Sequence, residues 1–309
     1  MKEFEKQYKD HLSDFRNWDQ KEHAEERLIF SENIGENLSI DETSVSNGEL
    51  YTIITNKKAK GGKGALVAMI HGTKSSEIIP ILNKIPLEKR SEVKEITLDM
   101  AGSMELISEK AFPDATQVID RFHAQQLVSE AVQEIRIDLR REAIKEENEN
   151  IKKARKKKKK YYLKTFENGD TKKQLLARSR HLLFKPQSKW TESQSLRSEI
   201  LFQEFPEIKK AYDISMLFRS FYETGKTILE AKEKLDKWYL KVEEKNLDSF
   251  LIASESIRLH ETKILNYFLN RSTSASAESF NAKLKGFRTV IKGVRDKKFF
   301  LFRVSKLYG

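Results

Sequence analysis

Three carboxylates stand where a folded chain could use them together. Asp41 lies in the apolar run LSIDET, Asp99 ends the run ITLDM, and Glu278 opens the stretch AESFNAKLKGF. Carboxylates that converge at one point bind a divalent cation, because Mg²⁺ is a hard ion that takes oxygen ligands in octahedral array. Two such ions, Mg²⁺ or Mn²⁺ as its substitute, held about 3.5–4 Å apart can activate an attacking oxygen and stabilise the leaving oxygen of a phosphodiester. That chemistry asks for neither cysteine nor a histidine cluster, and it suits a sequence with no Cys and 6 His. The missing cysteine also excludes disulfides, thiolate zinc sites, iron–sulfur clusters and a cysteine nucleophile. Asn281, Ala282 and Lys285 share the helical face of Glu278, which places the lysine to meet a phosphate.

The elements needed to position these residues can be read from periodicity. ENLSIDETS and ELYTIIT, separated by Asn47-Gly48, form two strands joined by a tight turn, since Asn-Gly accepts the positive φ a hairpin needs. Lys60–Gly64 is a second turn, with no Walker pattern, and ALVAMI follows as a buried strand. SSEIIPILNKIP reads as a helical stretch interrupted by Pro80, VKEITLDM as a fourth strand, GSMELISEKAF as a helix and ATQVID as a fifth strand. Three β-elements followed by alternating β and α predict an α/β fold with a mixed, ribonuclease H-like sheet. In such a sheet the strands of Asp41 and Asp99 are neighbours. A long helix starts near Arg121. Helical stripes at Ile208–Tyr222, Ile228–Val242 and Phe250–Ile264 make a large all-helical insertion. The expected divisions are 1–35, a helical segment (Phe4–Leu12 and His23–Phe30); 36–149, the first part of the core; 150–268, the insertion; and 269–309, the return to the core with Glu278.

The 309 residues carry 58 Lys and Arg against 47 Asp and Glu, a net charge of +11. A polyanion is the natural partner for that balance. The longest apolar run, ALVAMI, is far short of the roughly 20 residues that span a membrane, and MKEFEKQYKD has no apolar core of a signal peptide. The expectation is a cytoplasmic protein working on the nucleoid, without a membrane partner. Lys152–Lys160 holds eight basic residues in nine positions. Its bland role is a solvated helix face; beside a nuclease-type core, Lys156, Lys157 and Lys158 become candidates for tracking DNA phosphates together with Lys285 and Arg288.

Four blocks resemble the DDE transposases of bacterial insertion sequences, in the group with a DRFH box after the second aspartate. They are SIDETSVSNGELYTI, TLDMAGSMELISEKAFPDATQVIDRFH, RHLLFKPQSKW and NRSTSASAESFNAKLKGFRTVIKGVRDKKFFLFR, and the likeness extends from about Leu38 to Arg303. The resemblance implies a ribonuclease H-like fold, a catalytic Asp–Asp–Glu triad matching Asp41, Asp99 and Glu278, and double-stranded DNA, both element ends and target, as substrate. It implies a homodimer in the DNA complex. Many relatives begin with a cysteine zinc ribbon and a helix-turn-helix; no such motif precedes Asp41 here, so end recognition is expected from a separate polypeptide.

Each assignment has a plainer competitor. Glu42 adjoins Asp41, but strand alternation sends the two side chains to opposite faces. Glu278 could simply favour the dipole of its helix. Asp120, Arg121 and His123 are expected to support the ligands rather than bind metal directly. His260 and Trp238 are expected in the core, and Trp190 could stack on an unpaired base. At the level of the whole chain, the rivals are an inactive DNA-binding derivative of a transposase and a nuclease of RNA–DNA hybrids on the same fold.

Overall fold

The structure, a computed structural model, describes residues 2–45 and 48–309; Asn47 of the expected turn lies outside them. Helix α1 (Lys2–Gln7) precedes strands β1 (Arg27–Ile29), β2 (Asn37–Ser44), β3 (Leu50–Asn56) and β4 (Leu66–His71). Helices α2 (Ser75–Leu82) and α3 (Leu87–Ser91) lead to β5 (Glu95–Leu98), then α4 (Gly102–Ala111) and β6 (Thr116–Ile119). Eight helices follow: α5 (Arg121–Lys156), α6 (Lys172–Arg178), α7 (Glu192–Glu204), α8 (Pro206–Thr224), α9 (Ile228–Lys245), α10 (Asp248–Leu259), α11 (Glu261–Leu265) and α12 (Tyr267–Asn270). The chain closes with α13 (Ala275–Val290) and α14 (Lys297–Tyr308). No helix among the described residues is long and apolar enough to cross a membrane.

The chain forms two compact units, Met1–Asp120 with Thr262–Gly309, and Arg121–Glu261. The first holds a six-stranded sheet in the order β1-β4-β3-β2-β5-β6. Strands β1 to β4 pair antiparallel and β2, β5 and β6 pair parallel, the mixed α/β arrangement expected. Each strand from β2 to β6 alternates by face. Ile53 and Tyr51 of β3, with Phe280 and Leu284 of α13 and Phe300, Leu301 and Val304 of α14, build one buried layer. Full burial of side chains such as Phe280 and Leu284 contributes roughly 1.5–3 kcal/mol each.

Two local expectations are corrected. Residues 23–30 are not a helix: Arg27–Ile29 is an edge strand against β4, because Leu28 and Phe30 are both buried in the layer with α14 and Phe30 N–H continues the ladder to Val67 O at 2.8 Å. Helix α2 runs through Pro80. The ring removes a single internal hydrogen bond, and burial of Ile78 and Leu82 on either side holds the turn together.

The second unit is all helical. Helix α5 is continuous for 36 residues, so the division read at 149/150 falls inside it. Its Ala124, Val128 and Ala131 are buried, and it packs on α8 and α10. The expected stripes form the core: Trp238 is fully buried and its Nε1 donates to Ile214 O at 3.1 Å. Trp190 is also engaged, donating to Leu182 O at 2.9 Å. His260 is only half-buried, at the end of α10, with Nδ1 2.8 Å from Ser256 O. The basic residues 156–160 are all exposed.

Candidate active site

The sheet register brings the two aspartates together. Ser39 of β2 is level with Thr97 of β5, and Thr97 with Val118 of β6. Two residues further along each strand lie Asp41, Asp99 and Asp120. Because side chains alternate with period 2, all three share one face. Strands β5 and β6 end just before this row, whereas β2 continues against β3 alone. The carboxylates therefore sit at the carboxyl ends of parallel strands, where an α/β sheet opens a crevice for a ligand.

Helix α13 crosses that crevice. Ser274 N–H, at its start, donates to Asp120 Oδ2 at 2.9 Å. Asn281 Nδ2 donates to Asp41 Oδ2 at 2.6 Å, and Arg288 Nη1 donates to Ser44 O at 2.5 Å. From β6 to β2 is two strand steps, about 9.6 Å, and seven helical residues rise about 10.5 Å. Glu278 lies four residues past Ser274, which carries it past β5, the strand of Asp99. Its side chain is exposed. Below the helix, Lys283 Nζ donates to Gly61 O at 2.8 Å. Gly61 takes φ +67°, and a Cβ there would stand 2.9 Å from Phe280 N, so glycine is what lets the 60–64 turn touch the helix backbone.

Each aspartate is oriented by a backbone amide. Asp41 Oδ1 accepts from Glu42 N–H at 2.7 Å and Asp99 Oδ1 from Ala101 N–H at 2.8 Å. Glu42 faces the other side of the sheet, opposite Thr52. Burial, reinforced by the negative charges of Asp99 and Asp41, pushes its carboxyl above the usual glutamate range. Asn281 Oδ1, beside Asp41, is a buried acceptor with no donor.

These features fit a hard divalent cation: a row of carboxylate oxygens, no sulfur or imidazole donor among them, and an orphaned amide oxygen beside Asp41. In the present side-chain positions, no group of three or more His, Cys, Asp or Glu among the described residues closes into a cage.

The family model for ISL3-type DDE transposases, described as a transposase, matches residues 38–304. The chain belongs to that family. No curated protein and no solved structure matches it. As a member, the transposase acts on DNA and is a DNA-cleaving enzyme.

Other expected residues of the transposase lie as follows. Lys285 is exposed on α13. Arg288 is half-buried and spent on Ser44 O, tying α13 to the end of β2. Asp120 is buried beneath the start of α13. Arg121 and His123 begin α5 in the helical unit, where the Arg121 guanidinium lies 5.8 Å from the Tyr222 ring centre and His123 makes an edge contact with Phe122. Lys156, Lys157 and Lys158 belong to that unit too, at the exposed end of α5.

Sequence reasoning missed a buried polar group behind the carboxylates. Lys57 Nζ donates to Glu95 Oε1 at 3.1 Å, to Thr97 Oγ1 and to Ser272 Oγ. Burial alone would raise the Glu95 carboxyl, but hydrogen bonds from Ser272 and Asn270 and the Lys57 charge hold it below the usual range. The signal was present in EITLD, where Glu95, Thr97 and Asp99 alternate with Ile96 and Leu98.

Proposed function

We propose that Asp41, Asp99 and Glu278 are the catalytic carboxylates of this transposase and together hold two Mg²⁺ ions, with Mn²⁺ able to substitute. The enzyme would cleave at the ends of its insertion sequence and transfer the freed 3′-hydroxyl into target DNA. The observation that carries this reading is the common register of Asp41 and Asp99 on adjacent parallel strands, with α13 laid over them. Bound there, the ions would neutralise charge at the scissile phosphate and make the attacking oxygen nucleophilic at neutral pH.

The protein's own groups hold the geometry. Asn281 and the Glu42 amide fix the Asp41 carboxylate, the Ala101 amide fixes Asp99, and Glu278 would join them from the first turn of α13. Lys285, two turns beyond Glu278 on the same face, supplies a cation for a flanking phosphate. Cleavage breaks one phosphodiester bond with water and leaves a 3′-hydroxyl; strand transfer uses that hydroxyl to displace the 3′-oxygen of a target phosphodiester. No Ser or Tyr needs to bond to DNA. An element has two ends and each chain carries one such set of carboxylates, so the reading calls for a pair of chains in the DNA complex.

A nicking assay on supercoiled plasmid with Mg²⁺ or Mn²⁺ tests the proposal. Asp41→Asn, Asp99→Asn and Glu278→Gln should each bring nicking to background while DNA affinity stays within a few-fold. A variant that nicks at the wild-type rate removes its residue from the site. A wild-type chain that binds DNA and never nicks it points to an inactive derivative.

A further inference from the structure

The segment that leads into α13 is fastened to the sheet at alternate residues. Asn270 Nδ2 donates to Glu95 Oε2 at 3.2 Å, Ser272 Oγ accepts from Lys57 Nζ, and Ser274 N–H donates to Asp120 Oδ2 at 2.9 Å. The sheet-side partners come from three places: Lys57 follows β3, Glu95 begins β5 and Asp120 follows β6. At the centre, the Lys57 and Glu95 side chains are only 12% and 4% exposed, and they bond to each other as well as to the segment. Thr97, from the same face of β5, takes a third Lys57 hydrogen bond.

An ion pair this deep is a poor way to gain stability. Desolvation of both charges offsets most of their attraction, and apolar residues of similar volume commonly hold a fold as well or better. What directed hydrogen bonds provide and an apolar pad does not is a single register. The apolar contacts under α13, through Ala277, Phe280 and Leu284, are non-directional; hydrogen bonds at three alternate residues, with Asn281 on Asp41, are directional and admit one register. Glu278 is only four residues past the last of them, so the register of 270–274 governs where its carboxylate stands along the row of Asp41 and Asp99.

We infer that Lys57 and Glu95 are positioning residues: they clamp the 270–274 segment in one register and so set the affinity of the carboxylate site for divalent cation. The inference rests on the site reading given above. Residues that orient metal ligands from behind typically govern about 10–100-fold in metal affinity.

The test uses full-length, metal-free protein without DNA and reads Mn²⁺ binding by calorimetry alongside the thermal unfolding midpoint. Lys57→Met/Glu95→Leu removes both charges together, leaving neither buried alone. The double variant should unfold within a few degrees of wild type, yet its Mn²⁺ dissociation constant should rise by about tenfold or more. A folded double variant with wild-type Mn²⁺ affinity overturns the clamp. Should that variant fail to fold, Ser272→Ala decides the matter, because it cuts the link to the segment and keeps the ion pair. It should weaken Mn²⁺ binding by a few-fold and Ser272→Thr should restore it; no change overturns the clamp. Glu278→Gln separates the two levels. If it leaves Mn²⁺ affinity untouched, the site reading falls and the clamp with it. If it weakens binding while the clamp variants bind as wild type, the clamp alone falls.

Discussion

Gly61→Ala tests whether the turn at 60–64 sets the height of α13. Two costs can be worked from the structure. The first is conformational: Gly61 has φ +67°, and a Cβ in the left-handed region costs roughly 1–2 kcal/mol. The second is steric, since the new Cβ would lie 2.9 Å from Phe280 N and 3.3 Å from Phe280 Cα. Both are backbone atoms, unable to swing away. Ordinary contact begins at 3.4 Å, so helix and turn must separate by 0.5 Å. Phe280 lies between Glu278 and Asn281, and the shift passes to both. A misplacement of about 1 Å costs on the order of 10²-fold in rate, so half of it should cost about tenfold.

Gly64→Ala is the matched control. It has φ +75° in the same turn, but its nearest neighbour is Asn33 Oδ1 at 3.6 Å, an ordinary contact. The assay pairs chemical denaturation with plasmid nicking for both variants. Both should lose roughly 1–2 kcal/mol of stability, and Gly61→Ala should lose more, together with about tenfold in nicking rate. Equal stabilities and equal nicking rates for the two variants would refute the idea that this turn sets the helix.

Three shorter predictions follow from charge and burial. Glu42→Gln should stabilise the metal-free protein at pH 7: its folded carboxyl is raised by burial and by Asp99 and Asp41, so its ionised form opposes folding. That penalty vanishes below the unfolded value of about 4.3, and the gain should disappear near pH 3; denaturation at both pH values checks it, and no gain at pH 7 counts against it. Replacing Lys156–Lys160 with Gln should weaken binding to all duplexes alike and lower the log–log salt slope by about 0.9 per lost phosphate contact; an unchanged slope returns the run to solvent. A gel shift on terminal-repeat and scrambled duplexes at matched salt should show less than the roughly 10³-fold preference of specific binders, because Phe15 and Trp18 are occupied in packing on Phe302 of α14; a larger preference would mean this chain reads its own ends.

What was legible in the sequence was whatever period 2 or period 3.6 encodes. Ser39 and Asp41 alternate with buried Leu38 and Ile40, and Glu95, Thr97 and Asp99 with buried Ile96 and Leu98, so strand and face could be read directly, while the pairing of the two aspartates came from the expected sheet order. The stripes of α8, α9 and α10 were equally clear. Edge strand β1 was not, because three residues are too few for a period and the surrounding Glu and Lys mimic a helix surface. Pro80 misled for a related reason: a local rule marks the break, while burial on both sides decides whether the helix survives it.

The least legible part is the part that makes the site cohere. Lys57 and Ser272 are 215 positions apart, and Asp41 and Asn281 are 240. No local pattern announces such pairs, since a lysine after a strand and a serine before a helix are each ordinary surface residues by composition. Their partnership exists only because chain order and sheet order differ: the helical unit interrupts the chain between Asp120 and Thr262, and the returning segment must find its place among strands laid down long before. An exposed carboxylate on that returning helix can complete a cation site only if its register is dictated by the sheet. Three hydrogen bonds to the lead-in segment, one from Asn281 and a side-chain-free Gly61 below the helix are the contacts that dictate it.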